Sequence, residues 1–431
     1  MRSVYIETYG CQMNLADTEL LFGHLGRHGY QRTEDPAAAD VILLNTCAIR
    51  EHAEERVVGR LGDLVRHKAQ RPEVQLGIAG CMAQHLRDAL MTRLPFVDFV
   101  VGPDAYRRLP ELLGHAGGDP LVDVRLDRDE TYADLVPQRD RGVRAWMTIM
   151  RGCDKFCTFC VVPYVRGRER SLPAAAILEQ VQQLAADGFR EVVYLGQTVN
   201  VYRDGAVDFG ELLRRTNAID GIERIRFTSP HPSDMTDSVI DAMASCRKVC
   251  PQLHLPVQSG SDRVLARMER GYTAAQYLDL VERLRRAVPG LALSTDIIVG
   301  FPGEDETDFD ATCELMRRVR YDSAFMFKYS ARSGTKAFKW AETVSDDEKS
   351  RRLQTVIALQ EAQSAAINRS LVGATTEVLV EGPARRREGW LVGKTPQFKT
   401  AVFPANGASP GEITRVRITE ATAHTLLGSA A

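Results

Sequence analysis

The sequence lacks a long apolar run. No uninterrupted apolar stretch approaches the roughly 18 residues that a membrane-spanning helix needs. Residues 1–7 have the pattern of a strand and not the apolar core of a signal peptide. These two absences predict a soluble, cytoplasmic protein with no membrane partner.

The sequence also has little net charge. It contains 55 Lys and Arg residues against 57 Asp and Glu residues, for a formal net charge of −2 at pH 7. A near-neutral chain has no global basic field that would attract a nucleic acid. Any contact with nucleic acid must therefore come from local basic patches.

Nine cysteines are present without a secretory start. Such a chain is expected in a reducing compartment, where thiols stay available as ligands instead of forming disulfides. The length of 431 residues predicts about three domains on the usual length prior.

Three of the cysteines, here called the central triad, are spaced as Cys153-x3-Cys157-x2-Cys160 after an apolar run at 146–150. Thiolates at this spacing suit a cubane iron–sulfur cluster, whose irons each take one soft ligand. One iron of a 4Fe–4S cluster is then left without a protein thiol and is open for chemistry. A structural zinc site needs a fourth ligand, and the nearest histidines, His115 and His231, are distant in sequence. Three thiols are also a poor disulfide framework.

Three further cysteines, here called the N-terminal triad, each follow a strand-like segment. The segments are 4–10, 40–46 and 74–80, which end at Cys11, Cys47 and Cys81, and helical patterns at 17–28 and 51–69 separate them. Strand–helix–strand repetition predicts parallel strands with right-handed crossovers. Because parallel strands end at one edge of a sheet, we expect the three thiols to converge there. Three buried structural cysteines are the alternative interpretation.

A second series of strands and helices follows a polar stretch, in which we interpret 117–138 as a linker carrying one strand. The predicted strands are 146–150, 191–195, 224–228, 252–257, 293–299 and 324–329, and the predicted helices are 174–187, 209–218, 237–245, 274–287 and 307–319. Six βα units are too few for a closed eight-fold barrel. Active sites of such barrels lie at the carboxyl ends of the strands, where the central triad also falls.

Polar residues follow several of these strands. We place Gln258 and Asp296 in a cofactor or substrate pocket, with turn and capping roles as the alternative. His231 and His254 are interpreted as hydrogen-bonded structural residues. Cys246, Cys250 and Cys313 lack a third partner at cluster spacing and are interpreted as structural.

The C-terminal part changes pattern after a long helix predicted at 346–371. Short strands at 376–380, 390–393, 399–403 and 413–419 predict a small antiparallel barrel. A set of basic and aromatic residues gives this part a local face suited to phosphates and stacked bases. The set is Arg385, Arg386, Arg387, Trp390, Lys394, Phe398 and Lys399.

The central triad, with Phe159 before its last cysteine, resembles the radical S-adenosylmethionine signature. The continuation from Cys160 to Ser171 resembles the methylthiotransferases, in particular the branch that makes 2-methylthio-N(6)-dimethylallyladenosine in tRNA. Similar motifs surround the N-terminal triad at 8–14, 45–51 and 80–84, and residues 389–400 resemble the RNA-binding TRAM domain. The resemblance covers essentially the whole chain.

The resemblance implies an α/β protein with four parts. These are an N-terminal methylthiotransferase domain with an open parallel sheet (1–116), the linker (117–138), a radical core with a six-stranded partial (β/α)6 barrel (139–370) and a TRAM barrel (371–431). It implies two 4Fe–4S clusters, one on each triad, and S-adenosylmethionine. Gln197 stands where the wider superfamily often has a glutamate for the methionine amino group, and its amide oxygen can accept the same hydrogen bond. Phe159 is expected to contact the cofactor.

The implied activity is insertion of a methylthio group at carbon 2 of a modified adenosine beside the tRNA anticodon. One S-adenosylmethionine is expected to supply the methyl group and another the radical, with the sulfur delivered from the N-terminal triad's cluster. We expect a monomer that takes electrons from a reduced flavodoxin- or ferredoxin-type donor. Two alternatives remain open: a sister enzyme acting on threonylcarbamoyl-adenosine or on a ribosomal protein, and a non-enzymatic RNA-binding iron–sulfur sensor.

Overall fold

A computed structural model of the chain describes residues 1–48, 51–114 and 120–430; the side chains of 51–53, 88 and 430 are not described. Ile49 and Arg50, which belong to the motif after Cys47, lie outside the described residues, as does the predicted boundary between 116 and 117. In the described ranges, no helix has both the length and the apolar character needed to cross a bilayer.

The N-terminal part is a six-stranded, all-parallel sheet in the order β2-β1-β3-β4-β5-β6. Its strands are β1 (Arg2–Thr8), β2 (Tyr30–Arg32), β3 (Val41–Thr46), β4 (Gln75–Gly80), β5 (Phe99–Val101) and β6 (Leu121–Asp123). Its helices are α1 (Gln12–Arg27), α2 (Glu51–Gln70), α3 (Cys81–Leu86), α4 (Asp88–Arg93) and α5 (Leu109–Gly114). The strand β6, within the predicted linker, is the edge strand of this sheet.

Strand β3 shows why this sheet is buried on both faces. All six of its residues are buried. Val41 and Leu43 belong to one apolar core, which also contains Leu21 and Leu25 of α1, whereas Ile42 and Leu44 belong to a second core on the other face. Successive side chains of a strand point to opposite faces, so an uninterrupted apolar run specifies a central parallel strand.

The central part is a partial barrel built from two three-stranded parallel sheets, in the orders β13-β10-β7 and β14-β15-β16. A single bridge between Ile225 and Val249 links the β13 strand to the segment before β14. The main strands are β7 (Arg144–Thr148), β10 (Glu191–Leu195), β13 (Arg224–Phe227), β14 (Gln252–His254), β15 (Ala292–Val299) and β16 (Ser323–Lys328). Short strands are β8 (Met150–Arg151), β9 (Arg170–Ser171), β11 (Arg203–Asp204) and β12 (Val207–Asp208).

Helices pack around this partial barrel. They are α6 (Val162–Arg166), α7 (Ala174–Ala186), α8 (Phe209–Asn217), α9 (Asp237–Ser245), α10 (Asp262–Arg267), α11 (Ala274–Ala287), α12 (Glu306–Val319) and α13 (Asp346–Arg369). All of them except α6 and α10 contribute to its largest apolar core. Local chemistry fixes their starts. Thr273 and Gln276 form a capping box at α11, and the Ser345 hydroxyl accepts from the Glu348 N–H at α13.

The C-terminal part is a closed five-stranded barrel in the order β17-β18-β19-β21-β20. Its strands are β17 (Thr375–Pro383), β18 (Trp390–Lys394), β19 (Thr400–Pro404), β20 (Ile413–Ala421) and β21 (Thr425–Ala430). Strand β21 was not among the predicted strands; it pairs in parallel with β19 and antiparallel with β20, and this closes the barrel. Its small residues and low content of β-branched or aromatic side chains explain the weak strand signal.

The C-terminal barrel closes the amino end of the partial barrel. Arg226 donates to the carbonyl oxygens of Thr395 and Pro396 at 2.9 and 2.8 Å. It also pairs at 2.9 Å with Glu191, which is fully buried. The Phe398 ring lies 4.9 Å from the Arg144 guanidinium and 4.8 Å from that of Arg226. The loop 394–398 therefore fills the end of the barrel opposite the central triad.

Candidate active site

The N-terminal triad lies at the carboxyl ends of three adjacent strands. Cys11 begins the turn into α1 after β1, Cys47 follows β3, and Cys81 is the first residue of α3 after β4. A Cβ on Gly10, whose φ is +146°, would lie 2.7 Å from the Cys47 Cβ, so glycine allows the close approach of these two loops. The sheet order β1-β3-β4 thus brings the three cysteines to one edge.

Two asparagines hold the loops of this triad together. The Asn14 side-chain amide donates to the carbonyl oxygen of Thr46 at 3.1 Å, and the Asn45 side-chain amide donates to the carbonyl oxygen of Asn14 at 2.9 Å. The hydrogen bond with Cys47 is the main cause that lowers the pKa of the Cys11 thiol to about 6, and nearby Arg166 acts in the same direction. Cys11 is therefore poised as a thiolate ligand near neutral pH.

The central triad lies on the loop between β8 and α6. The Cys153 sulfur is 3.1 Å from the Thr198 hydroxyl, and the Cys157 sulfur accepts from an Arg270 N–H at 3.3 Å. The Thr158 hydroxyl anchors the loop to the carbonyl oxygen of Arg267 at 2.9 Å. Burial raises the pKa of the Cys160 thiol to about 12. Ionising this thiol in place requires a cation, which a bound iron supplies.

Both triads open into one cavity of about 290 Å³. The cavity is also lined by Phe159, Gln197, Gln258 and Asp296, the four residues predicted to contact the cofactor or substrate. No group of three His, Cys, Asp or Glu residues in the described ranges is arranged to hold a single metal ion. A cubane instead takes one thiolate per iron, and two sets of three thiols in one cavity fit that chemistry.

The polar residues of the cavity fit a bound amino acid moiety. The Oε1 atom of Gln197 is buried and has no hydrogen-bond partner among the described residues. Gln258 adopts a left-handed backbone conformation, with φ of 76°, while its N–H and C=O pair with the backbone of β15. Positive φ outside glycine is costly and clusters at functional sites.

The two histidines near the cavity are held by hydrogen bonds. His231 lines the cavity, and its Nδ1 atom is 2.7 Å from the Ser233 hydroxyl. Burial lowers its pKa to about 4, so the ring is neutral at physiological pH. His254 lies 3.0 Å from the Ser294 hydroxyl and 3.4 Å from the Asp296 carboxylate. Cys246, Cys250 and Cys313 are buried away from the cavity.

Sequence reasoning missed a set of buried charges behind the triads. Arg151 and Arg166 both pair with Asp17, at 2.8 and 2.7 Å, and so join the two α/β parts. Arg166 also donates to the Cys81 sulfur at 3.1 Å. The one available signal was local: charged residues interrupt otherwise apolar stretches beside the cysteine motifs.

The predicted RNA-contact residues fall into two groups. Arg385, Arg386 and Arg387 are exposed on the turn between β17 and β18, and the Arg387 guanidinium lies 4.6 Å from the Trp390 ring. We call Arg385, Arg386, Arg387 and Trp390 the outer basic segment. The other residues of the predicted set face the partial barrel. Lys394 and Phe398 belong to the loop that closes its amino end, and Lys399 pairs with Asp322 at 2.6 Å.

Comparison with known proteins agrees with this architecture. A model of the Radical SAM superfamily matches residues 147–316, that of the uncharacterized protein family UPF0004 matches 3–102, and that of the TRAM domain matches 369–431. Among solved structures, the radical S-adenosylmethionine methyltransferase TsrM from Kitasatospora setae is similar in fold. Its TM-score is 0.59 at 15% identity, over 78% of this chain and 74% of that one.

The fold and the central triad define a radical S-adenosylmethionine enzyme, a class that uses S-adenosylmethionine and a 4Fe–4S cluster. Two similar proteins are named tRNA-2-methylthio-N(6)-dimethylallyladenosine synthase. The protein from Chloroherpeton thalassium is 46% identical over 99% of this chain and 96% of its own length. The protein from Carboxydothermus hydrogenoformans is 45% identical over 97% of both. The chain belongs to this family of synthases, and the predictions of family and fold class are confirmed.

Proposed function

We propose that this protein is a tRNA methylthiotransferase. It converts N(6)-dimethylallyladenosine next to the anticodon into 2-methylthio-N(6)-dimethylallyladenosine. The observation that carries the proposal is the shared cavity: two cysteine triads from separate sheets face one space of about 290 Å³. Such a space lets a sulfur source on one triad meet a nucleoside activated beside the other.

In this proposal each triad holds one 4Fe–4S cluster. Cys153, Cys157 and Cys160 hold the first and leave one iron open, and Cys11, Cys47 and Cys81 hold the second. When bound, the clusters and S-adenosylmethionine supply one-electron cleavage of a carbon–sulfur bond, the methyl group and the sulfur that is transferred. The buried, unpartnered Gln197 oxygen supports a role as acceptor for the cofactor's amino group.

The remaining cavity residues have positioning roles in this proposal. Phe159 packs edge-on against Phe301, with ring centroids 6.5 Å apart, and shields one side of the central triad. Gln258 and Asp296 offer hydrogen-bond acceptors on the side of β15. Neutral His231 and the buried Thr198 line the same cavity and add no charge to it.

We propose that the tRNA binds to the outer basic segment and the neighbouring surface of the C-terminal barrel. A single-stranded loop suits this chemistry, because its base can enter a pocket without breaking a duplex. The exposed arginines support contact with phosphates, and Trp390 supports stacking. Activity also requires a reduced flavodoxin- or ferredoxin-type donor. We propose that the chain works as a cytoplasmic monomer.

Nucleoside mass spectrometry tests the proposed activity. Reduced wild-type protein is incubated with S-adenosylmethionine and tRNA that carries dimethylallyladenosine, and both 5′-deoxyadenosine and the methylthio nucleoside are measured. We expect Cys157→Ala to abolish both products. We expect Cys47→Ala to keep 5′-deoxyadenosine formation and to lose the methylthio nucleoside.

Cys246→Ala is the matched control, because this cysteine is buried outside the cavity and both products should persist. Sustained methylthiolation by the Cys47 variant would refute sulfur delivery from the N-terminal triad. A product only with threonylcarbamoyl-adenosine or with a ribosomal protein would assign the substrate to a sister enzyme. Failure of the reduced wild-type protein to cleave S-adenosylmethionine would leave an iron–sulfur RNA-binding protein.

A further inference from the structure

Five buried charges lie behind the N-terminal triad and do not cancel. They are the guanidiniums of Arg151, Arg166 and Arg170 and the carboxylates of Asp17 and Asp104, all at most 8% exposed. Asp17 pairs with Arg151 and Arg166, and Asp104 makes two hydrogen bonds of 3.0 Å to Arg170. Three positive and two negative charges leave one positive charge over.

The surplus charge is best assigned to Arg166. Its only carboxylate contact in the described chain is Asp17, which it shares with Arg151. Its Nε atom donates to the Cys81 sulfur at 3.1 Å, its Nη1 atom lies 2.7 Å from the Asp17 carboxylate, and its Nη2 atom has no hydrogen-bond partner among the described residues. A buried charge is stable only when it is paired. The offsetting negative charge therefore belongs to the sulfur and to the group that it holds.

The central triad has the same arrangement, built from a different element. Arg270 is 6% exposed and donates to the Cys157 sulfur at 3.3 Å. Its other hydrogen bonds go to the carbonyl oxygen of Pro256 at 2.8 Å and to the Tyr272 hydroxyl at 3.0 Å. None of these partners in the described chain is a carboxylate. Each triad thus has one buried arginine aimed at one thiol.

We propose that Arg166 and Arg270 are sulfur-directed positioning residues, one for each triad, which stabilise the reduced form of the cluster that the triad holds. The proposal rests on the two-cluster function proposed above. Reduction adds one electron and makes a cluster more negative. A nearby cationic N–H donor therefore stabilises the reduced form, and hydrogen bonds to the sulfurs set cluster potentials.

The position of Arg166 in the chain also links the two triads. It ends α6, the helix that follows the central triad, yet it bonds to Cys81 of the N-terminal triad and pairs with Asp17 of α1. The Arg166 side chain thus holds the two walls of the cavity in a fixed relation to each other.

Two full-length parent proteins test the proposal, each with one triad changed to alanine, so that each can hold a single cluster. After reconstitution, iron content is measured, and the cluster is titrated with dithionite and followed by electron paramagnetic resonance. Arg166→Gln should lower the potential only in the parent that keeps the N-terminal triad. Arg270→Gln should lower it only in the parent that keeps the central triad. Each substitution is thereby the control for the other.

Arg170→Gln is a third control, because it removes a buried guanidinium of the same network that bonds to Asp104 and to the carbonyl oxygens of Asp127 and Arg166 but to no thiol. The reduction potential of the cluster in each parent should be unchanged by this substitution. Unchanged potentials in the Arg166 and Arg270 variants, or an equal shift with Arg170→Gln, would overturn the proposal. If a parent binds no iron, the proposed cluster itself is wrong, and its arginine has no such role.

A second measurement needs no arginine substitution and therefore tests the proposal even if the arginine variants fail to fold. Each parent is labelled with ¹⁵N-arginine, and pulsed electron paramagnetic resonance of the reduced cluster is recorded. A ¹⁵N coupling is expected in both parents, because each keeps one arginine N–H within 3.3 Å of a ligand sulfur. A reduced cluster with no ¹⁵N coupling would overturn the proposal for that triad.

Discussion

The outer basic segment provides the most quantitative test of RNA binding. The perturbation is the simultaneous change of Arg385, Arg386 and Arg387 to Gln. All three are exposed on the turn between β17 and β18, outside the core of the C-terminal barrel. The substitutions should therefore leave the fold unchanged while they remove three positive charges from the proposed tRNA surface.

The expected loss follows from counterion release. Each phosphate contact on a single strand contributes about 0.7 to the slope of log affinity against log salt, so three contacts contribute about 2. Loss of these three contacts should therefore weaken tRNA binding about 50-fold at roughly 0.15 M salt. If a base stacks on the ring, Trp390→Ala should reduce the free energy of tRNA binding by a further 1–3 kcal/mol or so. The slope of log affinity against log salt should change little.

The assay is tRNA binding measured at several salt concentrations. The matched control changes Arg286, Arg317 and Arg318 to Gln, because these arginines are also exposed but lie on the helices α11 and α12. The control removes the same charge and should retain the wild-type slope. A wild-type slope in the Arg385–Arg387 variant, or an equal loss in the control, would refute contact between the outer basic segment and the tRNA backbone.

Three further predictions concern clusters and buried charges. Reconstituted protein should hold about eight irons, and changing the N-terminal triad to alanine should leave about four. Glu191→Gln should destabilise the protein by roughly 3–5 kcal/mol in denaturant unfolding, because the buried Arg226 guanidinium loses its carboxylate partner, whereas Arg144 keeps its pair with Glu381. Burial is the main cause that raises the pKa of Glu19 to about 7. Its folded form therefore keeps a proton that the unfolded form has released, so stability should fall as pH rises from about 5 to 8, and Glu19→Gln should reduce this loss.

Each of these three has a control. An iron content near four that the triad change leaves unaltered would disprove the second cluster. Glu211→Gln removes an exposed helix pair with Arg215 at 2.8 Å and should cost less than about 1 kcal/mol. A similar cost for Glu191→Gln would show that its ion pairs contribute little. An unchanged pH profile in the Glu19 variant would mean that other groups set the pH dependence.

The sequence predicted secondary structure well where several local signals agree. Strand β10 and the helices α9 and α11 have the predicted bounds, because their apolar periodicity and flanking turn residues agree. Strand-end logic also placed Cys11, Cys47 and Cys81 at one edge, since it depends only on strands being parallel. Their roles as ligands stay predictions.

Other features depend on contacts between distant parts of the chain. Arg166 and Asp17 are far apart in sequence, and no periodicity indicates that they pair. Phe398 has the appearance of an exposed aromatic in a basic loop, yet two barrel arginines flank it. The short β21 closes a barrel despite a weak strand pattern, because its partners supply the packing that its own residues do not specify.

The loop 394–398 makes the RNA module part of the enzyme's scaffold. Removing the chain after Leu371 would strip the carbonyl partners from Arg226 and open the amino end of the partial barrel to water. A module exchanged from another protein would need to bring this loop with it. Because the loop fixes the module to the barrel, the module has a set orientation relative to the cavity that holds the two cysteine triads.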